Sequence, residues 1–201
     1  MTDLDTAPRP QDGPNPAPRD VLFARLDELT AEEGHFEPVG RQHWALFEDQ
    51  GTTLVVSFAR LEDMIAAGED LTPAHAVART KGWSHLCLIS DGDTWFRDEA
   101  VYRHFDRLVD DAFFEDFDRV LFYGHGSGGH AACAFSVASP GSHVLALSPC
   151  ASLAGPETRW DRRFLAARRL DFTSRYGYAP DMLEGAEKVV VIHDLTLREE
   201  A

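Results

Sequence analysis

A glycine-rich turn between two apolar segments has the residue types and spacing that suggest chemistry. Residues 120–139 read VLFYGHGSGGHAACAFSVAS, which predicts a strand, a turn over Gly124–Gly129 and a helix. Such a turn places backbone N–H groups at a helix N-terminus, where they can hold an anion or a developing negative charge. The side chains that add chemistry to the turn are Ser127 and two histidines, His125 and His130.

One interpretation of the turn is a nucleophile elbow, in which a serine lies between small residues two positions before and two positions after it. Gly124 and Gly128 have the required spacing, but the residue between them is Gly126. The nearest serine, Ser127, is one position late, and centring the motif on it places His125 where a small residue is required. The backbone of an elbow is therefore predicted without its hydroxyl.

The partners of a catalytic triad are also incomplete. Asp194 follows the last predicted strand, where an elbow enzyme carries its acid, and a histidine is expected after it. No histidine follows His193 in the sequence. A hydrolase hypothesis therefore needs Ser127 as nucleophile, with His125 or His130 as its base.

Two further interpretations treat the turn as a phosphate cradle. The glycines match GxGxxG, but no acidic residue between Asp118 and Glu157 is available to hold a ribose. The segment Ser127-Gly128-Gly129 resembles the SGGxDS loop of phosphoadenosine phosphosulfate reductases, yet Ala131 and Ala132 replace its Asp and Ser. The remaining interpretation is purely structural, a tight corner that lets the helix pack closely on the sheet.

The sequence predicts neither a bound metal nor a cofactor. The three cysteines, without a CxxC pair, are Cys87, Cys133 and Cys150, which indicates neither a disulfide framework nor a zinc site. Asp91, Asp93 and Asp98 follow a predicted strand, but turn and helix-cap roles suit them better than a metal loop. Asp98 is predicted to cap the next helix.

The overall charge narrows the classes of partner. With 34 acidic and 19 basic residues, the formal net charge is -15, which argues against nucleic acid and anionic membranes. Neither a transmembrane run nor a signal pattern is present, so a cytoplasmic protein is predicted. One basic cluster has arginines at 159, 162, 163, 168 and 169. This cluster suits an anionic ligand, an acidic partner, or the acidic helix predicted over residues 99–114. Because that helix could belong to this or to another subunit, a homo-oligomer is a possible outcome.

Alternating apolar strands and helices predict a three-layer α/β/α sandwich, with a mostly parallel sheet and an N-terminal antiparallel hairpin. The hairpin is predicted to join residues 43–49 and 52–60 through Gln50-Gly51. Residues 1–18 are predicted to be a disordered Pro-rich arm, and residues 19–201 a single domain. Ligands of such sheets bind at the carboxyl ends of strands. Those ends are Ser90-Asp91, Gly124–Gly129, Ser148–Cys150 and His193-Asp194.

Two unusual strings, DGDTWFRD at 91–98 and DFTSRYGYAPDM at 171–182, carry a family resemblance. Together with the turn, they make the chain similar to a group of alphaproteobacterial α/β-hydrolase-like proteins. Many members of that group are named phosphoadenosine phosphosulfate reductase. Their turn reads GxSMGG and their next strand ends SPQ or QPQ. The resemblance places the hydrolase nucleophile on Gly126, the next oxyanion N–H on Ser127 and the Gln on Cys150. Members of the group run longer at the C-terminus, where a catalytic histidine would lie.

The resemblance and the residues together predict an α/β-hydrolase-like fold without a working Ser-His-Asp triad. The expected role is binding or interaction, with an unidentified small molecule or anion at the glycine turn. The residues expected to contact it are Gly124, Gly126, Ser127, Gly128, Gly129, Asp91, Trp95 and Cys150. Two alternatives remain, a weak serine hydrolase that uses Ser127, His125 and Asp194, and, by group name only, sulfonucleotide reduction.

Overall fold

The computed structural model describes residues 16–68, 71–155, 158 and 161–194. Most of the predicted N-terminal arm lies outside these residues, and the first helix begins at Pro18. The helices are α1 (Pro18–Leu29), α2 (Leu61–Ala67), α3 (Pro73–Lys81), α4 (Glu99–Asp110) and α5 (Ser127–Phe135). Short 3-10 helices cover Phe113–Asp116, Ser136–Ala138, Ala167–Arg169 and Ala179–Leu183.

The seven strands of the described chain form one sheet in the order β1-β2-β4-β3-β5-β6-β7. They are β1 (Gly34–Pro38), β2 (His43–Glu48), β3 (Thr53–Arg60), β4 (Ser84–Ser90), β5 (Arg119–His125), β6 (His143–Leu147) and β7 (Lys188–Ile192). The five strands that lie side by side as β4, β3, β5, β6 and β7 are all parallel to their neighbours. Strand β2 is antiparallel to both of its neighbours, β1 and β4. The predicted mostly parallel sheet with an N-terminal hairpin is confirmed.

The predicted partners within that hairpin were wrong. Strand β2 pairs with β1 and β4, and β3 lies on the far side of β4. The true hairpin joins β1 to β2, and β1 was missed in the sequence, where residues up to Gly34 were assigned to the first helix. That helix ends at Leu29. A short exposed strand such as GHFEP has little apolar patterning to reveal it.

Helices cover both faces of the sheet, which confirms the predicted three layers. Because successive strand residues face opposite sides, β3 contributes Val56 and Phe58 to one core and Val55 to the other. The first core packs against α4 and α5, and the second face packs against α1, α2 and α3. None of the described helices combines the length and apolar character needed to cross a bilayer.

The helix that follows β4 begins where its sequence predicted. The Asp98 carboxylate accepts a hydrogen bond from the Ala100 N–H at 2.7 Å, which satisfies one of the N–H groups left open at a helix start. Helix α3 begins with Pro73, and the Thr72 hydroxyl accepts from the His75 N–H. These caps fix the starts of the two helices that flank the carboxyl end of β4.

Candidate functional site

The glycine turn has the backbone of a nucleophile elbow. It leads from β5 into α5, and Gly126 at its centre has φ 57° and ψ −118°, a conformation that L side chains rarely adopt. The Gly126 N–H donates to the Leu147 carbonyl at 2.9 Å, and the Gly126 carbonyl accepts from the His130 N–H at 3.0 Å. The turn is therefore held on both sides, by β6 and by its own helix.

The flanking glycines are required by the close approach of strand and helix. A Cβ at Gly124 would lie 2.0 Å from the Gly128 carbonyl oxygen, and one at Gly128 would lie 2.6 Å from the Phe58 carbonyl oxygen. A Cβ at Gly126, in contrast, would have no atom within 4 Å. The Gly126 position is therefore strained for an L side chain but has room for one.

The turn borders a cavity of about 580 Å³ at the carboxyl edge of the sheet. Of the predicted site residues, the structure brings together here His125, Gly126, Ser127 and Gly128. The opposite walls come from the end of β3 and from helices α2 and α3. Among its apolar lining residues, Tyr123, Leu147 and Phe164 are partly exposed, whereas Phe58, Phe96 and Leu71 are buried behind them. The charged groups on the walls are Arg60, Asp63, Asp93 and Arg163. Two of the four are basic and two acidic, so the side chains of the lining leave little net charge.

Backbone N–H groups at the turn are partly available to a ligand. The Gly126 N–H, expected to contact the ligand, is already used by Leu147. Within the part of the chain that the structure describes, the N–H groups of Ser127, Gly128 and Gly129 have no acceptor. This is the normal state of the first turn of a helix, which attracts negative charge.

Ser127 has no hydrogen-bonded base among the described residues. Its side chain is partly exposed and makes no hydrogen bond with any of them, and His125, which also lines the cavity, is exposed. A serine needs a hydrogen-bonded base to act as a nucleophile. The geometry around Ser127 therefore gives no support for an activated hydroxyl.

His130 is placed in the interior, on the side of α5 away from the cavity. It is 1% exposed, and its Nδ1–H donates to the Cys150 carbonyl at 2.9 Å. Its ring contacts Trp95 and Phe172 edge-on. Burial lowers the pKa of His130 to about 4. The imidazole is thus a neutral structural group that links α5 to the loop after β6.

Buried histidines predict a loss of stability in weak acid. Burial lowers the pKa of His130 to about 4, and burial together with Arg107 lowers that of His104 to about 4. Their unfolded values lie near 6.5, so between these pH values the unfolded chain binds more protons than the folded chain. The free energy of unfolding should therefore fall as the pH falls through this window, by up to about 1.4 kcal/mol per pH unit for each histidine.

Urea denaturation between about pH 7.5 and about pH 4.5 measures this dependence. In the His130→Gln variant, the slope of unfolding free energy against pH should be smaller, because one of the buried imidazoles that titrate in this window is gone. An unfolding free energy that stays constant over the window would contradict the neutral, buried state of these histidines.

The other predicted site residues lie away from the cavity lining. Asp91 forms an ion pair with Arg19 at 3.1 Å. Trp95 is 1% exposed, and the Cys150 carbonyl is bound to His130. Asp194 is exposed, two residues beyond the end of β7. The described residues contain no group of three or more His, Cys, Asp or Glu side chains placed to hold a metal ion.

The two strings that carried the family resemblance contact each other. The buried Arg97 guanidinium donates to the carbonyls of Asp171 and Arg175 at 2.8 and 2.9 Å and to the Ser174 hydroxyl at 3.1 Å. Trp95 packs edge-on against Phe172. Residues 171–175 are thereby held against the carboxyl end of β4. Sequence analysis had assigned Asp98 as a helix cap but had not predicted the contact between the two strings.

The backbone that precedes Arg97 is strained. Trp95 and Phe96 have φ values of 54° and 57°, a conformation unfavourable for residues with large side chains. Both rings are almost fully buried, and this burial offsets the strain. The turn places the Phe96 ring in the cavity wall and the Trp95 ring in the interior.

A second polar cluster, which sequence analysis missed, lies in the sheet beneath α3. The Ser57 hydroxyl is 2.8 Å from His85 Nε2, and the Glu48 Oε2 lies 3.2 Å from His75 Nε2 and 3.9 Å from His85 Nδ1. Burial alone would raise the pKa of Glu48, but the two imidazoles outweigh it and lower that pKa to about 2.

The contacts run from the Ser57 hydroxyl to the His85 imidazole and on to the Glu48 carboxylate, as they do in a hydrolase triad. Ser57 is also among the residues that line the cavity. However, all three residues are 5% exposed or less. The 3.9 Å separation is also too long for a hydrogen bond between the histidine and the acid. The arrangement is that of a buried polar network between β2, β3, β4 and α3.

No protein-family model and no curated protein matches the chain. Among solved structures, it is similar to FphF, a fluorophosphonate-binding serine hydrolase of Staphylococcus aureus. The TM-score is 0.52 and the identity 10%, over 83% of this chain and 83% of FphF. The glycosylation-associated Gap123 complex of Streptococcus agalactiae matches with TM-score 0.50 and 14% identity, over 80% of this chain. The match spans about a third, 35%, of that Gap123 chain.

Est1E from Butyrivibrio proteoclasticus is also similar, with TM-score 0.47 and 17% identity over 81% of this chain and 77% of Est1E. Identities this low concern the fold and carry no information on activity. The fold agrees with the local geometry, since a strand, a sharp turn at positive φ and a helix form an elbow at the carboxyl edge of a mostly parallel sheet. The chain therefore has an α/β-hydrolase-like fold, with glycine at the centre of the elbow.

Proposed function

We propose that this protein binds a small molecule at the elbow and does not hydrolyse it. The observation that carries the proposal is Gly126, which keeps the backbone conformation of a nucleophile but has no side chain. Ser127, the neighbouring hydroxyl, has no hydrogen-bonded base among the described residues. The elbow thus retains its shape and its helix N-terminus without an activated oxygen.

The lining suggests the chemical class of the ligand. One wall has the open N–H groups of Ser127 and Gly128 at the start of α5, which favour a carboxylate or carbonyl oxygen. The partly exposed rings of Tyr123 and Phe164 and the side chain of Leu147 offer apolar surface to the rest of the molecule. A cavity of about 580 Å³ is of ordinary size for a small-molecule site. We infer a short acyl compound with a terminal carboxylate or carbonyl.

Reductive sulfur chemistry has no support from the thiols. Burial raises the pKa of Cys87 to about 12 and that of Cys133 to about 11, and a thiol in that state is a poor nucleophile. Cys150 is partly buried, and its carbonyl is used by His130. The proposal therefore does not include phosphoadenosine phosphosulfate reduction.

The first experiment combines fluorophosphonate labelling, read by intact mass, with thermal denaturation in the presence of hexanoate, its methyl ester or sulfate. We expect no labelling of the folded protein, and a higher melting temperature with hexanoate than with sulfate. A ligand at a hundred times its Kd stabilises the folded state by about 2.7 kcal/mol. Labelling abolished by Ser127→Ala or by Ser57→Ala would overturn the proposal and identify the nucleophile.

Two glycines provide a matched pair of variants for the binding test. Gly126 and Gly141 both have positive φ, 57° and 85°, and a Cβ at either position meets no atom within 4 Å. Only Gly126 lines the cavity. Gly126→Leu should therefore remove the stabilisation by hexanoate, whereas Gly141→Leu should retain it. Equal stabilisation of both variants would place the ligand elsewhere.

A further inference from the structure

The two edges of the sheet differ in how they are protected. At one edge, β1 ends in Pro38, its Glu37 pairs with Arg107, and its Phe36 packs against Phe23 of α1. Proline, charge and a covering helix are the devices by which proteins prevent edge-to-edge pairing. Strand β1 is therefore closed to a further strand.

Strand β7 lies at the opposite edge of the sheet. Its four apolar residues, 189–192, include neither a proline nor a charged side chain, and no described helix covers them. It pairs with β6 on one side, and on its other side it has no strand partner among the described residues. Its residues Val189, Val190, Val191 and Ile192 are 37%, 38%, 47% and 55% exposed. Because successive residues point to opposite faces, both faces of β7 are partly exposed in the described chain.

The hydrogen bonds of β7 show which of its backbone groups are open. The Ile192 carbonyl accepts from the Ser148 N–H at 2.7 Å, so Ile192 directs its backbone groups toward β6. Backbone direction alternates along a strand. Val189 and Val191 therefore direct their N–H and C=O groups outward, and both offer a complete pair of bonds to another strand.

We propose that β7 pairs antiparallel with β7 of a second copy of this chain, about a two-fold axis at Val191. In this register Val191 faces its own counterpart, and the two exchange both backbone hydrogen bonds. Val190 lies opposite Ile192, so two apolar residues meet there, and Val189 lies opposite His193. Lys188 lies opposite Asp194, which places opposite charges across the strands at each end. An isologous contact of this kind closes on itself as a dimer.

The chemistry of β7 favours a second copy over an unrelated partner, because one sequence supplies both the outward hydrogen-bonding pairs and the complementary charges. Two short strands bury less surface than the ordinary stable interface. The dimer should therefore be reversible, and its population should depend on protein concentration. This inference is independent of the ligand proposed for the elbow.

Sedimentation velocity over about a hundredfold range of concentration tests the proposal. The wild-type protein should shift from monomer toward dimer as the concentration rises. Val191→Pro should remain monomeric, because proline removes an outward N–H without breaking the ladder to β6. Val191→Ala retains that N–H and is the matched control, for which the concentration-dependent shift should remain.

Charge variants test the register. Lys188→Asp should weaken the dimer, because it places like charges opposite each other, and adding Asp194→Lys should restore it. If Val191→Pro impairs folding by circular dichroism, Val191→Lys serves instead, since it opposes two lysines across the axis. A wild-type protein that is monomeric at every concentration would overturn the proposal. A dimer that persists in both Val191→Pro and Val191→Lys would also overturn it.

Discussion

Gly124→Ala should abolish stable folding, whereas Gly126→Ala, two residues further along, should yield a folded protein. A Cβ at Gly124 would lie 2.0 Å from the carbonyl oxygen of Gly128 and 2.2 Å from its carbon. Both are backbone atoms, so relief of the overlap requires β5 and α5 to move apart. That movement would open the main core, and we expect the loss of most of a typical stability of about 5–15 kcal/mol.

Gly126→Ala is the matched control, because its Cβ meets no atom within 4 Å. Its expected cost is the backbone strain of a non-glycine residue at positive φ, about 1–3 kcal/mol. Soluble yield, circular dichroism and urea denaturation of the two variants measure the difference. Equal stabilities would mean that strand and helix are further apart at the elbow than the structure places them.

The second large effect is expected at Arg97. Its guanidinium is buried, makes three hydrogen bonds to residues 171–175, and lies 5.0 Å from the centre of the Tyr102 ring. Arg97→Met would leave the carbonyls of Asp171 and Arg175 without their donors. We expect a loss of about 3–5 kcal/mol in the free energy of unfolding, since hydrogen bonds to a charged group are the stronger kind.

Arg175→Met is the comparison for Arg97→Met. Arg175 also forms a short ion pair, 2.6 Å from Asp106, but both side chains are more than 40% exposed. An exposed pair of this kind contributes at most about 1 kcal/mol. Chemical denaturation measures both losses, and limited proteolysis should show faster cleavage near residues 171–175 in Arg97→Met only. Similar losses in the two variants would contradict the tethering role of Arg97.

The strands and the elbow were predictable because their signals are local. Short apolar runs bounded by polar or glycine residues located β2 to β7, and the spacing of Gly124, Gly126 and Gly128 located the turn. Asp98 was identified as a cap from its residue type and position. Each of these features depends on residues within a few positions of one another.

The pairing of strands and the walls of the cavity were not predictable in the same way. Strand β2 binds β4, whose first residue lies 36 positions after the last residue of β2, and nothing in the sequence of β2 specifies that partner. The wall that faces Gly126 comes from β3, α2 and α3, which tertiary packing brings together. Trp95 and Cys150 follow strand ends as predicted, but their loops turn them toward the interior, away from the lining.

The insertion of β4 between β2 and β3 has a consequence for how the chain folds. During synthesis β2 and β3 emerge together, separated by four residues, while their common partner is still to be made. Each presents an open edge, and the connection between them is short enough for a local hairpin. That hairpin is non-native, and β4 can enter the sheet only after it separates. The pairing that the sequence suggests most directly is thus expected to compete with the native fold, as a transient trap on the folding pathway.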